Sequence, residues 1–190
     1  MIPFHESERY NYPLTPASVV LDCGGYEGNF AKQIIDKYGC TVYVYEPIPE
    51  FFEKCNKTLE KHPRALVFNH GVGRSKRHVK MRVKGDSTGL YADSGKVIDV
   101  QLRSIGEIME LLGLDTVQLV KLNIEGMEGE TIEGMLDDGT IKRVDNLQVQ
   151  PHTCMPDALT RWPEIQRRLA ETHELTYCAP WCWESWRLKA

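Results

Sequence analysis

Short, wholly apolar runs alternate with amphipathic stretches along this chain, and that alternation constrains its fold more than any other feature. Ser18-Val19-Val20-Leu21-Asp22 runs into Gly24-Gly25. Phe30, Ile34, Ile35 and Tyr38 then fall at helical spacing, and Gly39 closes the helix. Thr41-Val42-Tyr43-Val44-Tyr45-Glu46 stops at Pro47, and Phe51, Phe52, Cys55 and Leu59 outline a second helix before Ala65-Leu66-Val67-Phe68. A strand that is apolar throughout has both faces buried, as in a parallel sheet with helices on each side.

The pattern continues with more variety. Val79, Met81 and Val83 alternate with basic residues, and Ile98, Val100 and Leu102 alternate with polar ones; Gly85-Asp86-Ser87-Thr88-Gly89 supplies turn chemistry between the two stretches. Ser104 and Glu107 form a capping box for a helix that Gly113 ends. Val117–Leu122 and Val144–Val149 read as further core strands, followed by a helix around Pro163–Glu171 and strands near Leu175–Cys178 and Trp183–Leu188. Residues 1–17, polar and containing Pro3, Pro13 and Pro16, read as an N-terminal arm, leaving 18–190 as one domain. The expected fold is α/β and doubly wound: a seven-stranded, mostly parallel sheet with an antiparallel C-terminal pair and helices on both faces.

Sheets of this kind bind ligands beyond the carboxyl ends of their strands. The first strand ends Asp22-Cys23-Gly24-Gly25-Tyr26-Glu27-Gly28, which fits G-x-G-x-x-G in no register. A carboxylate at that tip opposes a pyrophosphate, so NAD, FAD and ATP fit poorly. S-adenosylmethionine carries an ammonium and a sulfonium instead, and an acid there favours it. Glu46 ends the next strand, where an acidic side chain accepts hydrogen bonds from ribose hydroxyls. The expected cofactor contacts are Asp22, Gly24, Gly25, Tyr26, Asn29, Phe30, Glu46, Pro47, Asn69 and Gly71.

The stretch Lys121-Leu122-Asn123-Ile124-Glu125-Gly126-Met127-Glu128 places a polar cluster at an edge where a purely structural strand stays apolar. Strand alternation puts Lys121, Asn123 and Glu125 on one side, Glu128 opens the following helix, and His152 follows the fifth strand. These five are the expected catalytic group, with Lys121 and Asn123 orienting the acceptor. Zinc ligation by His152, Cys154, Cys178 and Cys182 is disfavoured by their spacing.

Val19–Gly28, Tyr43–Pro47, Asn69–Gly73, Ser87–Leu90 and above all Lys121–Glu128 together resemble the FkbM-type methyltransferases. The resemblance implies a class I methyltransferase fold and methylation of hydroxyl groups on sugars, polyketides or other secondary metabolites. Gly25 and Tyr26 depart from the family's usual Ala and Asn, Asn123 stands for a usual Asp, and Gln150 for a frequent Glu. Glu125 and Glu128 have the oxygen chemistry for Mg²⁺, but the lost carboxylate at 123 argues for metal-independent catalysis. Two rivals remain: a cofactor-fold binding protein without catalysis, motivated by Asn123 and Gln150, and a nicotinamide-dependent oxidoreductase, opposed by the glycine pattern.

A net charge of −4, with Arg74–His78 as the densest basic run, argues against a nucleic-acid partner. No apolar stretch is long enough to cross a bilayer, and the start lacks signal-peptide character. Six scattered cysteines suit a reducing, cytoplasmic compartment. The expected partner is a small-molecule or glycan hydroxyl acceptor, with homo-oligomerisation left open.

Overall fold

The computed structural model describes residues 5–83 and 94–190. The turn expected at 85–89, and the Ser87–Leu90 part of the family resemblance, lie outside the described residues.

The alternation folds as its apolar runs require. Strands β1 (Val19–Cys23), β2 (Thr41–Tyr45) and β3 (Ala65–Phe68) enclose helices α1 (Asn29–Tyr38) and α2 (Pro49–Leu59). Strands β7 (Leu119–Leu122) and β8 (Asn146–Val149) flank helix α4 (Glu128–Asp138), and α5 (Ala158–Leu169) leads to β9 (His173–Ala179) and β10 (Trp183–Leu188). One seven-stranded sheet results, in the order β3-β2-β1-β7-β8-β10-β9. It is parallel from β3 to β8 and antiparallel around β10. The strand order reverses between β1 and β7, which makes their tips the switch point where such sheets bind ligands.

Alternation within β1 explains the two cores. Val20 packs with Phe30, Ile34 and Cys55 of α1 and α2, whereas Leu21 packs with Ile108, Ile132 and Ile165 of the helices opposite. Those opposite helices are α4, α5 and α3 (Ile105–Leu111). Ser104 Oγ caps α3 by accepting from the Glu107 N–H at 3.1 Å. The Glu107 carboxylate accepts from Arg103.

Two features depart from the sequence reading. Strands β5 (Arg77–Val83) and β6 (Lys96–Arg103) join β4 (Gly71–Val72) in a separate three-stranded sheet. Its inner face, with Met81, Val100 and Leu102, packs into the core of the opposite helices. Period-two patterning identifies such strands but not the sheet they join. Helix α5 starts five residues before Pro163, because Trp162 is drawn into the core and its Nε1–H donates to the buried Glu184 at 2.9 Å.

The N-terminal arm lies on the sheet. Tyr12 and Leu14 are buried in the α1/α2 core. The Tyr12 hydroxyl accepts from Gln148 Nε2 at 2.8 Å and contacts the hydroxyls of Ser185 at 3.1 Å and Tyr177 at 3.2 Å. Leaving buried partners unsatisfied costs about 1–3 kcal/mol. Tyr12→Phe is therefore expected to lower the melting temperature by about 2–12 °C in a chain of this size. Differential scanning calorimetry reads that shift, and an unchanged melting temperature removes the cluster from the account of the arm.

Candidate active site

The end of β1 turns sharply across the tip of β7. Gly24 has φ +83°, and a Cβ on it would stand 1.9 Å from the Asn123 carbonyl oxygen. Only glycine permits that approach. A Cβ on Gly25 would fall 2.3 Å from the Val44 side chain, so this glycine is required by packing. Tyr26 adopts φ +50°, a left-handed conformation that favours Gly or Asn. Its N–H donates to Glu46 Oε2 at 2.8 Å, and its ring packs edge-on against Phe51 at 4.6 Å.

Beyond these tips lies a cavity of about 250 Å³. Gly24, Tyr26, Glu46, Pro47 and Gly71 line one part, and Asn123 and Glu125 another, with Tyr45, Ile48, Phe51, Val72, Met81, Ile124 and Met127 forming apolar wall. Seven residues expected from sequence thus meet around one space. Glu46 is 4% exposed and accepts from the Ile48 N–H at 2.9 Å as well as from Tyr26. Burial pushes its carboxyl up to about 7, against the pull of those two N–H donors and of Lys121. A carboxylate oxygen has more than one acceptor site, so each retains capacity for a ligand hydroxyl.

The other expected residues stand around the cavity without lining it. Asn69 donates from Nδ2 to the carbonyls of Glu46 and Pro47, fixing the end of β2. Asn29 begins α1 at the surface, and the Phe30 ring is buried in the core. Asp22 is fully buried, with one carboxylate oxygen 2.9 Å from Lys121 Nζ. That contact is ionic in distance only, since neither Asp22 oxygen meets a donor in hydrogen-bond geometry.

Lys121 lies on the α1 side, with its ammonium 5.6 Å from the Phe30 ring, and does not line the cavity that Asn123 and Glu125 line. The strand ends at Leu122, and the chain then turns through Glu125 at φ +54° and Gly126 at φ +97°. Glu128 holds that turn. Its fully buried carboxylate accepts from the Ile124 N–H at 2.7 Å and the Gly126 N–H at 2.9 Å, and it contacts His152 Nδ1 at 2.9 Å. A left-handed non-glycine residue costs of order 1–3 kcal/mol unless its surroundings fix it. Glu128 therefore supports the turn that presents Glu125. The opposite edge of the His152 ring, Nε2, is 3.7 Å from Glu125 Oε1. Burial disfavours the charged ring, but Glu128 and Glu125 outweigh it and hold the His152 pKa above its ordinary value.

Sequence reasoning missed the apolar wall. Phe51 was legible only as a helix residue, and Met81 arrives from the second sheet, which nothing local announced. Among the described residues no group of three or more His, Cys, Asp or Glu side chains is arranged to hold a metal ion. No helix among them is long and apolar enough to cross a membrane.

A glycine turn at the switch point, a buried acid at the second strand tip and an apolar wall around one cavity make up the candidate cofactor site. The chain belongs to the FkbM methyltransferase family, whose domain matches residues 22–175. It is 27% identical over 166 residues to Methyltransferase 1 of Beauveria bassiana (strain ARSEF 2860), covering 73% of this chain and 66% of that protein, just under two thirds of its length. Its fold is similar to an rRNA methylase from Streptococcus thermophilus, with TM-score 0.55, 11% identity and coverage of 93% and 90%. It is equally similar to SMU.1697c of Streptococcus mutans in complex with SAH, with TM-score 0.57, 9% identity and coverage of 93% and 91%. With rRNA methylases among its fold neighbours, the expected absence of a nucleic-acid partner draws no support from them.

The residues present fit the cofactor: an acceptor carboxylate for a ribose diol, glycines for close backbone approach, and apolar walls for a purine. Glu46→Ala is expected to weaken S-adenosylhomocysteine binding roughly tenfold or more, because buried hydrogen bonds are lost. In the wild type, affinity should rise with pH through about 7, as the carboxyl loses its proton and becomes a pure acceptor. Calorimetric titrations at pH 6 and pH 8 measure both effects, and a pH difference that persists in Glu46→Gln refutes the assignment.

Proposed function

We propose that this chain transfers a methyl group to a hydroxyl of a small molecule or glycan, with Glu125 and His152 receiving the proton. The observation that carries the reading is the chain of contacts at the cavity wall: Glu125 lines the cavity, His152 Nε2 lies 3.7 Å from it, and Glu128 fixes the other ring nitrogen at 2.9 Å. When bound, S-adenosylmethionine supplies an electrophilic methyl on a sulfonium. The protein's part is to orient the acceptor oxygen and take its proton as the new bond forms.

The residues divide that work. Glu46 and the Gly24–Tyr26 turn hold the cofactor. Glu125 accepts the hydrogen bond of the attacking hydroxyl, and His152 shares the proton. Asn123, whose buried Oδ1 has no hydrogen-bond partner, stands beside Glu125 in the same wall and orients the acceptor. A hydroxyl as the attacking group is what the resemblance to FkbM-type methyltransferases implies, and the local set of acidic and imidazole groups suits removal of its proton.

Screening hydroxylated acceptors for S-adenosylhomocysteine production tests the proposal; no production with any of them leaves the catalytically silent binding protein as the better reading. With an accepted substrate, Glu125→Gln should lower kcat roughly a hundredfold or more while S-adenosylhomocysteine affinity stays near wild type. Because His152 receives a proton only when neutral, kcat should rise with pH along a limb above the ordinary histidine value of about 6.5. Glu128→Gln removes the main stabiliser of the charged ring, so its limb should move to lower pH. A near-normal kcat in folded Glu125→Gln, or an unmoved limb in Glu128→Gln, places the base elsewhere.

A further inference from the structure

Lys121 is buried at 3% exposure and does not line the cavity. Its ammonium lies 2.7 Å from the Gly24 carbonyl, 3.5 Å from the Cys23 carbonyl and 2.9 Å from Asp22 Oδ1. The Phe30 ring lies 5.6 Å away. An ammonium has three N–H groups and no accepting capacity. Here they are directed into the underside of the glycine turn whose upper side forms the cavity.

That geometry exceeds what a counter-ion for Asp22 requires. The shortest contact of Lys121 is to Gly24 O, a backbone atom of a cavity-lining residue, and two residues further on the Tyr26 N–H grips Glu46. Asp22 and Lys121 are paired across β1 and β7 in the sheet register. The ammonium thus ties the β7 tip to the turn at the point where Gly24 already meets the Asn123 carbonyl.

We propose that Lys121 is a positioning residue for the cofactor, gripping the Asp22–Tyr26 turn from beneath, and that it does not touch the methyl acceptor. The inference rests on the cofactor cavity and is independent of which acceptor the chain uses. Removing the ammonium frees the Gly24 carbonyl to rotate and loosens the Tyr26–Glu46 contact above it.

A second consequence is electrostatic. The charged or titratable groups facing Glu46 are Asp22 from β1, Lys121 from β7 and the Cys55 thiol from α2. Lys121 favours the ionised carboxylate and Asp22 opposes it. Without the ammonium, the Ile48 and Tyr26 N–H groups alone oppose burial and Asp22, and the pH needed for tight ribose binding moves upward.

The experiment uses S-adenosylhomocysteine as the probe and three proteins: wild type, Lys121→Met and the pair Asp22→Asn with Lys121→Met. The single variant leaves a buried carboxylate without a cation and is the one at risk of unfolding; the double variant removes both charges and keeps the fold testable. Calorimetric affinity per folded molecule and melting temperature are measured for each, with the affinity followed from pH 6 to 9. The proposal expects affinity to fall roughly tenfold or more in both variants, including a double variant whose melting temperature has recovered. It also expects the affinity–pH curve of Lys121→Met to lie at higher pH than that of wild type. Affinity that returns together with stability in the double variant makes Lys121 a mere counter-ion and overturns the proposal, as does affinity within about twofold of wild type in either variant. Failure of the wild type to bind the probe strikes the cofactor assignment instead, so the two failures are distinguishable.

Discussion

The reactive edge depends on how closely the end of β1 approaches the end of β7. Gly24, at φ +83°, brings its α-carbon against the Asn123 carbonyl where no side chain fits. This contact brings the turn that faces the cofactor and the loop that presents Glu125 to two sides of one cavity. Lys121 binds the same junction from below, and Glu128 stiffens the loop from behind. The sheet supplies the frame, since β1 and β7 are neighbours only because the strand order reverses between them.

The carboxylates of this edge have opposite uses, set by where each is spent. Glu128 uses its oxygens on two backbone N–H groups and His152, so its charge shapes the chain. Asp22 is held against one ammonium. Glu46 is buried with the Tyr26 and Ile48 N–H groups as its donors among the described residues, and burial raises its pKa. A carboxylate kept in that state gains from hydroxyl donors that a ligand brings. Glu125 is the member of the set presented to the cavity from a strained backbone.

The fold was largely legible because doubly buried strands have a composition that few other elements share. The seven-stranded sheet and its antiparallel end follow from apolar runs such as Val19–Leu21 and from turn glycines. The second sheet was not legible: the pattern of β5 and β6 fixes which face is apolar and leaves open what covers it. At the site, Glu46, Gly24 and Glu125 were readable from their places at strand ends. Lys121 was grouped with Asn123 and Glu125 by carrying the alternation past Leu122, where the strand stops; its ammonium meets the Gly24 carbonyl, and it does not line the cavity. Glu128 could be placed at a helix start, but its grip on Ile124 and Gly126 depends on two positive-φ residues that only the three-dimensional turn reveals. Met81 reaches the cavity across a sheet boundary, and no local signal announces such a contact.

The arrangement we propose has the cofactor across the β1–β7 junction, with its ribose on Glu46 and its sulfur towards Glu125. A crystal structure with bound S-adenosylhomocysteine measures this directly. The account predicts ribose hydroxyls within hydrogen-bonding distance of the Glu46 carboxylate, and the sulfur on the Glu125 side of the cavity. Ribose density away from Glu46, or the ligand seated outside this cavity, would contradict it.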